Sequence, residues 1–257
     1  MNNLLRADLY RLGKSKLLYG ILALTGTLAF LLIMLMRQDI RLGISVVGNL
    51  TVLNGVEVII LLGTQYQKGL GMLVAILISV WISQEYQWRT WQHKWIISKS
   101  RAGIYLSKAI VSSTLSVGVF VLFELVALLS SGQISSILSG GFTSTVICGI
   151  ALYAALGAVI CLLAMLIKSN TTSIVVSLFY VVFSETLWSA LRYFSSFSSR
   201  AVNLVELVMK HSIYGMSTLI SSAAVSADMT IRIVMNSVGI IMAATLFGLY
   251  VFRKYEL

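Results

Sequence analysis

Two carboxyl residues stand where titratable residues are scarce: Glu124 in VFVLFELVALL and Glu185 in VVFSETLWSAL. A carboxyl in lipid is costly, so Glu124 is expected to face protein or a water-filled path. It is either a pathway or gating residue or a protonated side chain hydrogen-bonded to a neighbouring helix. Glu185 lies nearer the end of its apolar run, where an interfacial charge competes with a pathway role. Covalent chemistry finds little else. His93 and His211 are the only histidines, they are far apart, and neither Cys/His clusters nor an HExxH pattern accompany them. Cys148 and Cys161 share one apolar run and would lie about 20 Å apart along a helix, too far for a disulfide. Gly13-Lys14-Ser15 resembles the end of a phosphate loop, but Asp8 stands where that loop needs its first Gly. Leu138-Ser139-Gly140-Gly141 runs into Phe142 and an apolar stretch, no place for a nucleotide.

The richest polar stretch is WISQEYQWRTWQHKWIISKSRAGIYLSK, from Trp81 to Lys108. Trp81, Trp88, Trp91 and Trp95 recur at helical spacing, and Glu85, Arg89 and His93 run at i, i+4 on another face. This is an aromatic belt on an interfacial helix, or an elbow that grips the membrane with its Trp face and docks on a partner with its polar face.

The elements that hold these residues are apolar helices. The chain has 257 residues, of which 58% are hydrophobic and 11% charged, with a mean hydropathy of +0.92. A soluble domain needs roughly 25% charged residues, so the uncovered surface must face lipid. Six runs read as membrane spans, the second of them short: Leu17–Met36, Gly69–Ser83, Ile104–Leu129, Phe142–Ile167, Thr172–Leu191 and Met229–Phe252. The expected fold is therefore all-α, a single polytopic domain over 1–257 with six transmembrane helices. Residues 1–16 read as an interfacial helix whose Leu stripe enters the acyl boundary. Arg6, Arg11, Lys14, Lys16, Trp81 and Trp95 then anchor the chain at the membrane surface. Residues 37–66 read as an exposed segment with short surface helices, Lys68 as a snorkelling side chain, and 192–227 as an extracellular amphipathic region with a helix near Val202–Lys210. The secretory-signal reading of the N-terminus fails, since the apolar run is too long and lacks a cleavage site.

The net charge is +10, and with the N-terminus inside, 12 of the 19 basic residues fall on the inner side: Arg6, Arg11, Lys14, Lys16, Arg89, Lys94, Lys99, Arg101, Lys108, Lys168, Arg253 and Lys254. This bias puts both termini in the cytoplasm and makes the charge a topology signal rather than a nucleic-acid footprint. The absence of proline disfavours the broken helices of secondary transporters.

The chain resembles ABC-2 type permeases, the membrane subunits of ABC exporters in Gram-positive bacteria. The likeness rests on the start LLRADLYRLGKSKLLYGIL, on Gln84-Glu85-Tyr86, Thr90, Ser100-Arg101 and Ile104-Tyr105-Leu106-Ser107-Lys108, on six spans with an amphipathic region between the fifth and sixth, and on the basic end Phe252-Arg253-Lys254-Tyr255-Glu256. It departs at Trp88-Arg89-Thr90, where the family often has Gly before the Thr. The resemblance implies a transport subunit with no ATPase and no bound cofactor of its own. ATP and Mg would sit on two copies of a partner ATP-binding subunit, and a second permease subunit, identical or different, would complete the assembly in the bacterial plasma membrane. Residues 84–103 would form the coupling helix, with Glu85, Tyr86, Trp88, Arg89, Thr90, Trp91 and His93 facing the ATPase. The substrate class it suggests is amphipathic, antimicrobial or cytolytic peptides. A secondary transporter or channel, a non-transporting membrane scaffold and a membrane enzyme are the rival readings.

Overall fold

A computed structural model describes residues 2–37, 42–44, 51–53, 61–88, 90, 100–132, 141–167, 169–195, 199–222 and 225–254. The helices are α1 (Asn2–Gly13), α2 (Lys16–Arg37), α3 (Leu70–Gln87), α4 (Arg101–Ser131), α5 (Phe142–Leu166), α6 (Asn170–Ser195), α7 (Ser199–His211), α8 (Ile213–Ser222) and α9 (Ala227–Lys254). Six of them, α2 to α6 and α9, are long and apolar enough to cross a membrane. The described residues form helices and one short antiparallel ribbon, β1 (Leu42–Ile44) with β2 (Thr51–Leu53), in register Leu42 to Leu53.

The most apolar helix, α5, forms the centre of the bundle. It packs on α4 and α9, and further on α3, α6 and α8. A helix that is apolar all round belongs inside, and Cys148, Leu152, Tyr153, Ala155, Leu156, Ile160, Cys161 and Ala164 are all buried. Small residues let its neighbours come close. A Cβ on Gly157 would strike the backbone of Ser112 and Ser113, and one on Gly149 would fall inside the Phe120 ring. On α9, Gly248 leaves room for the Tyr105 ring, whose hydroxyl donates to the Ala244 carbonyl at 3.2 Å. The outer helices α2, α6 and α9 keep apolar faces exposed, such as Leu24, Leu28 and Leu31, or Val175, Phe179 and Phe183. Such continuous apolar surface fits lipid.

The two ends of the bundle are set by these contacts. Tyr105 and Phe252 lie together, so the start of α4 and the end of α9 share one end with α1. The start of α9 therefore lies at the other end, with the end of α6, α7 and α8.

Several expected boundaries move. The second span was expected to stop at Ser83, but α3 continues to Gln87, so Gln84, Glu85 and Tyr86 are its last turn. Nothing in WISQEYQ breaks a helix, and Glu85 finds partners inside the bundle. The third span begins earlier, at Arg101, where the Ser100 hydroxyl accepts from the Gly103 N–H at 3.2 Å and caps the helix. The part of 37–66 expected to be exposed includes 61–64, which form a helical turn with Leu62, Gly63 and Thr64 buried. A 3₁₀ turn, Tyr66–Lys68, follows and is buried as well. Lys68 does not snorkel; it pairs with Glu185 inside the bundle. Gly69 carries φ 149°, a backbone state that other residues rarely adopt, and joins this turn to α3. Between α6 and α9 the structure has two helices, α7 and α8, where one near Val202–Lys210 was expected.

Gly248→Leu is expected to destabilise the chain by about 1–3 kcal/mol through overpacking against Tyr105. Gly239→Leu, where nothing lies within 4 Å, should leave stability unchanged. Thermal unfolding of the two purified variants in one detergent checks the contrast.

Candidate functional site

Four charges meet where α1 crosses the end of α3 and the start of α4. On α1, Leu5, Asp8 and Leu12 share one face at helical spacing. Leu12 and Asp8 are buried, whereas Leu9 faces outward. Asp8 Oδ1 accepts from Lys108 Nζ at 2.9 Å and Oδ2 from the Ser107 hydroxyl at 2.7 Å. Lys108 Nζ also donates to Glu85 Oε1 at 2.5 Å, and Arg11 donates to the same oxygen. The second Arg11 nitrogen donates to the Trp81 carbonyl at 3.1 Å. Lys108 and Glu85 are 0% exposed in their side chains. Two acids and two bases leave the cluster without net charge, which a low-dielectric interior requires.

Two tryptophans frame the cluster. Lys108 Nζ lies 3.7 Å from the Trp81 ring centroid, and Arg11 lies over Trp88 at 5.8 Å. Trp81 is buried, 3% exposed, so it is a wall of the ion cluster and not the surface anchor expected of it. Arg11 likewise turns inward. Arg6, Lys14 and Lys16 stay exposed.

Of the expected coupling residues, Glu85 is enclosed by Arg11 and Lys108 and offers no surface to a partner. Tyr86 is half-buried, and its hydroxyl donates to the Met165 carbonyl at the end of α5, 3.3 Å away. Trp88 is 61% exposed. The Thr90 hydroxyl donates to the Glu85 carbonyl at 3.3 Å and satisfies one of the open carbonyls at the end of α3. Arg89, Trp91, His93 and Trp95 lie outside the described residues, as does half of the predicted 84–103 segment.

A second buried polar layer surrounds 61–68 near the other end of the bundle. Lys68 pairs with Glu185 at 3.3 Å. The Tyr153 hydroxyl donates to the Gly63 carbonyl at 2.8 Å, and the Ser217 hydroxyl donates to the Thr64 carbonyl at 3.0 Å. Glu124, 3% exposed, presses its carboxyl against Gly63, where a Cβ would collide with it. Neither of its oxygens has a hydrogen-bond partner among the described residues. Burial raises the Tyr66 phenol well above its ordinary value, and Tyr180 adds to this against the opposing Ser184 hydroxyl. Tyr214 is raised too, by burial and then by Glu185, against Arg192. Both phenols therefore stay neutral donors at physiological pH. The structure thus gathers Glu124 and Glu185 around one segment. The pair Lys108 and Glu124 are 16 residues apart on one helix, so the two layers are about 24 Å apart.

Asp8 and Lys108 were missed as site residues. The signals were present: an acid on the buried face of an amphipathic helix, and a lysine about one turn inside an apolar run.

Residues 4–184 match the family described as ABC-2 family transporter protein. A comparison with curated proteins finds no match. The matched stretch holds the whole four-charge cluster and Glu124 and ends just before Glu185. The chain belongs to the ABC-2 transporter family.

Lys108→Met would leave Asp8 buried and Glu85 with Arg11 alone, and should cost about 3–5 kcal/mol. Asp8→Asn combined with Lys108→Met and Glu85→Gln should recover most of that loss. Unfolding temperatures of the two proteins in detergent, with protease cleavage of α1 as a local readout, check the difference.

Proposed function

We propose that this membrane component of an ABC-2 transporter is the permease subunit of an ATP-driven exporter. In this reading a partner ATP-binding subunit hydrolyses ATP, and α1, the end of α3 and the start of α4 receive its motion as one body. The observation that carries the proposal is the buried cluster of Asp8, Arg11, Glu85 and Lys108 within the family-matched stretch. It ties together the helix that enters the membrane and the two spans that flank the connector 88–100.

Two ATP-binding subunits, each holding ATP and Mg, would dock on that connector, with Trp88, Arg89, Thr90, Trp91 and His93 as contacts. Glu85 and Tyr86 then act as positioning residues, through the ion cluster and the Met165 carbonyl. The exposed Arg6, Lys14 and Lys16 at the same end support a cytoplasmic orientation of both termini. A second permease subunit would cover one of the exposed apolar faces, in a bacterial plasma membrane. Export of amphipathic peptides is the substrate class we favour, because those faces allow lateral entry from the lipid. A pathway role for Glu124 is supported by its buried carboxyl, which lies against Gly63 and has no hydrogen-bond partner among the described residues. A channel or secondary transporter would need ionisable groups near the midplane. The described buried ion pairs instead lie in two layers toward the ends.

The test is purification of the chain from its host with an ABC ATPase of roughly 25–35 kDa, a domain-size expectation. Co-purification with a changed ATPase rate supports the proposal; a chain that purifies without one overturns it. Arg89→Glu should lower ATPase stimulation at least about tenfold, as reversal of an interfacial charge does. Glu124→Gln should reduce export in a vesicle flux assay while the ATPase still co-purifies. Wild-type flux in that variant removes Glu124 from the path.

A further inference from the structure

Between α7, α8 and the first turns of α9 lies a cavity of about 640 Å³, outside the stretch matched to the family. Its polar side is formed by Lys210 and His211 at the end of α7 and by Asp228 and Arg232 on α9. Its apolar side includes Met216 and Ile233. No ion pair or hydrogen bond joins the side chains of Lys210, Asp228 or Arg232 to another described residue, whereas the His211 ring nitrogen Nδ1 donates to the Leu207 carbonyl at 2.9 Å. Two permanent cations and an imidazole therefore face one carboxylate. The N-terminus of α9 opens on the same space, with Ser226 and Asp228 in its wall, and adds partial positive charge.

We propose that this cavity binds the anionic headgroup of a membrane phospholipid. Three features select a lipid over a soluble anion. Arg232 stands five residues into α9, about 7.5 Å along its axis, a depth that fits the boundary between headgroups and acyl chains. The lining combines charged with apolar side chains, as a phospholipid combines a charged headgroup with acyl chains. On α9 the cavity wall at Ile231 and Met235 continues into Val238, Met242 and Leu246, a single exposed stripe at helical spacing. An acyl chain can follow that stripe while the phosphate meets Lys210 and Arg232. Such a lipid would tie the amphipathic α7, with its exposed Leu204, Leu207 and Val208, to the last span.

The test uses the full chain in nanodiscs of equal phosphatidylglycerol and phosphatidylcholine, followed by partial delipidation and native mass spectrometry. The wild type should retain phosphatidylglycerol in preference to phosphatidylcholine. Lys210→Gln and Arg232→Gln should each lower that preference about fivefold, the worth of one cation near an anionic lipid, and Asp228→Asn should raise it. Because Asp228→Asn predicts a gain, a folding defect cannot imitate the full pattern. Equal retention of both lipids, or a preference untouched by Arg232→Gln, overturns the proposal. Displacement of phosphatidylglycerol by inorganic phosphate would make it a free-anion site and also overturns it. None of these readouts needs an ATPase, so they stand apart from the exporter proposal.

Discussion

The bundle depends on neutrality around one carboxylate oxygen. Glu85 Oε1 receives both Arg11 and Lys108, and Lys108 is shared with Asp8. In a low-dielectric interior each of these charges is tolerated only with the others in place. They come from three helices, so neutrality fixes the position of α1 against α3 and α4. The surrounding details follow from that arrangement. Trp81 is buried because Lys108 lies over its ring, and α3 extends to Gln87 because Glu85 is held from inside. An interfacial helix attached by its Leu face alone would be free to slide along the membrane surface. One attached by an ion cluster is not.

The six spans were legible because their signal is composition over about 20 residues, and that signal does not depend on which neighbour each helix meets. Their central regions stand where the hydropathy put them, and the small residues Ala244 and Gly248 lie at a close approach, to Tyr105. The site was harder to read because it depends on pairing between distant segments. Asp8 and Lys108 are 100 residues apart, Lys68 and Glu185 are 117 apart, and no local pattern announces either pair. Lys68 looked like a snorkelling side chain and Trp81 like a belt residue, since each lies at the edge of an apolar run. Both were inverted by partners that only the packed bundle supplies. Glu124 was legible as an isolated carboxyl, but its neighbour Gly63 lies in a segment whose sequence carries no strong period.

The separation of the two polar layers bears on how such a bundle could move. Between them α3 and α6 meet through neutral contacts, with the Ser79 and Ser177 hydroxyls 2.9 Å apart, and at the level of the charge cluster Ser83 donates to the Asn170 side chain at 2.6 Å. Hydrogen bonds of this kind between membrane helices contribute only about 0.6 kcal/mol on average. The ion cluster at the α1 end is far harder to open, because breaking it strands buried charge. Displacement applied near α1 therefore cannot be absorbed at that end. It passes along α3 and α4 to the layer around 61–68, which Gly69 joins to α3. The end at α1 is thus held by four interlocked charges and the layer beside Glu124 by the ion pair of Lys68 with Glu185, so fewer buried charges have to move when the second layer rearranges.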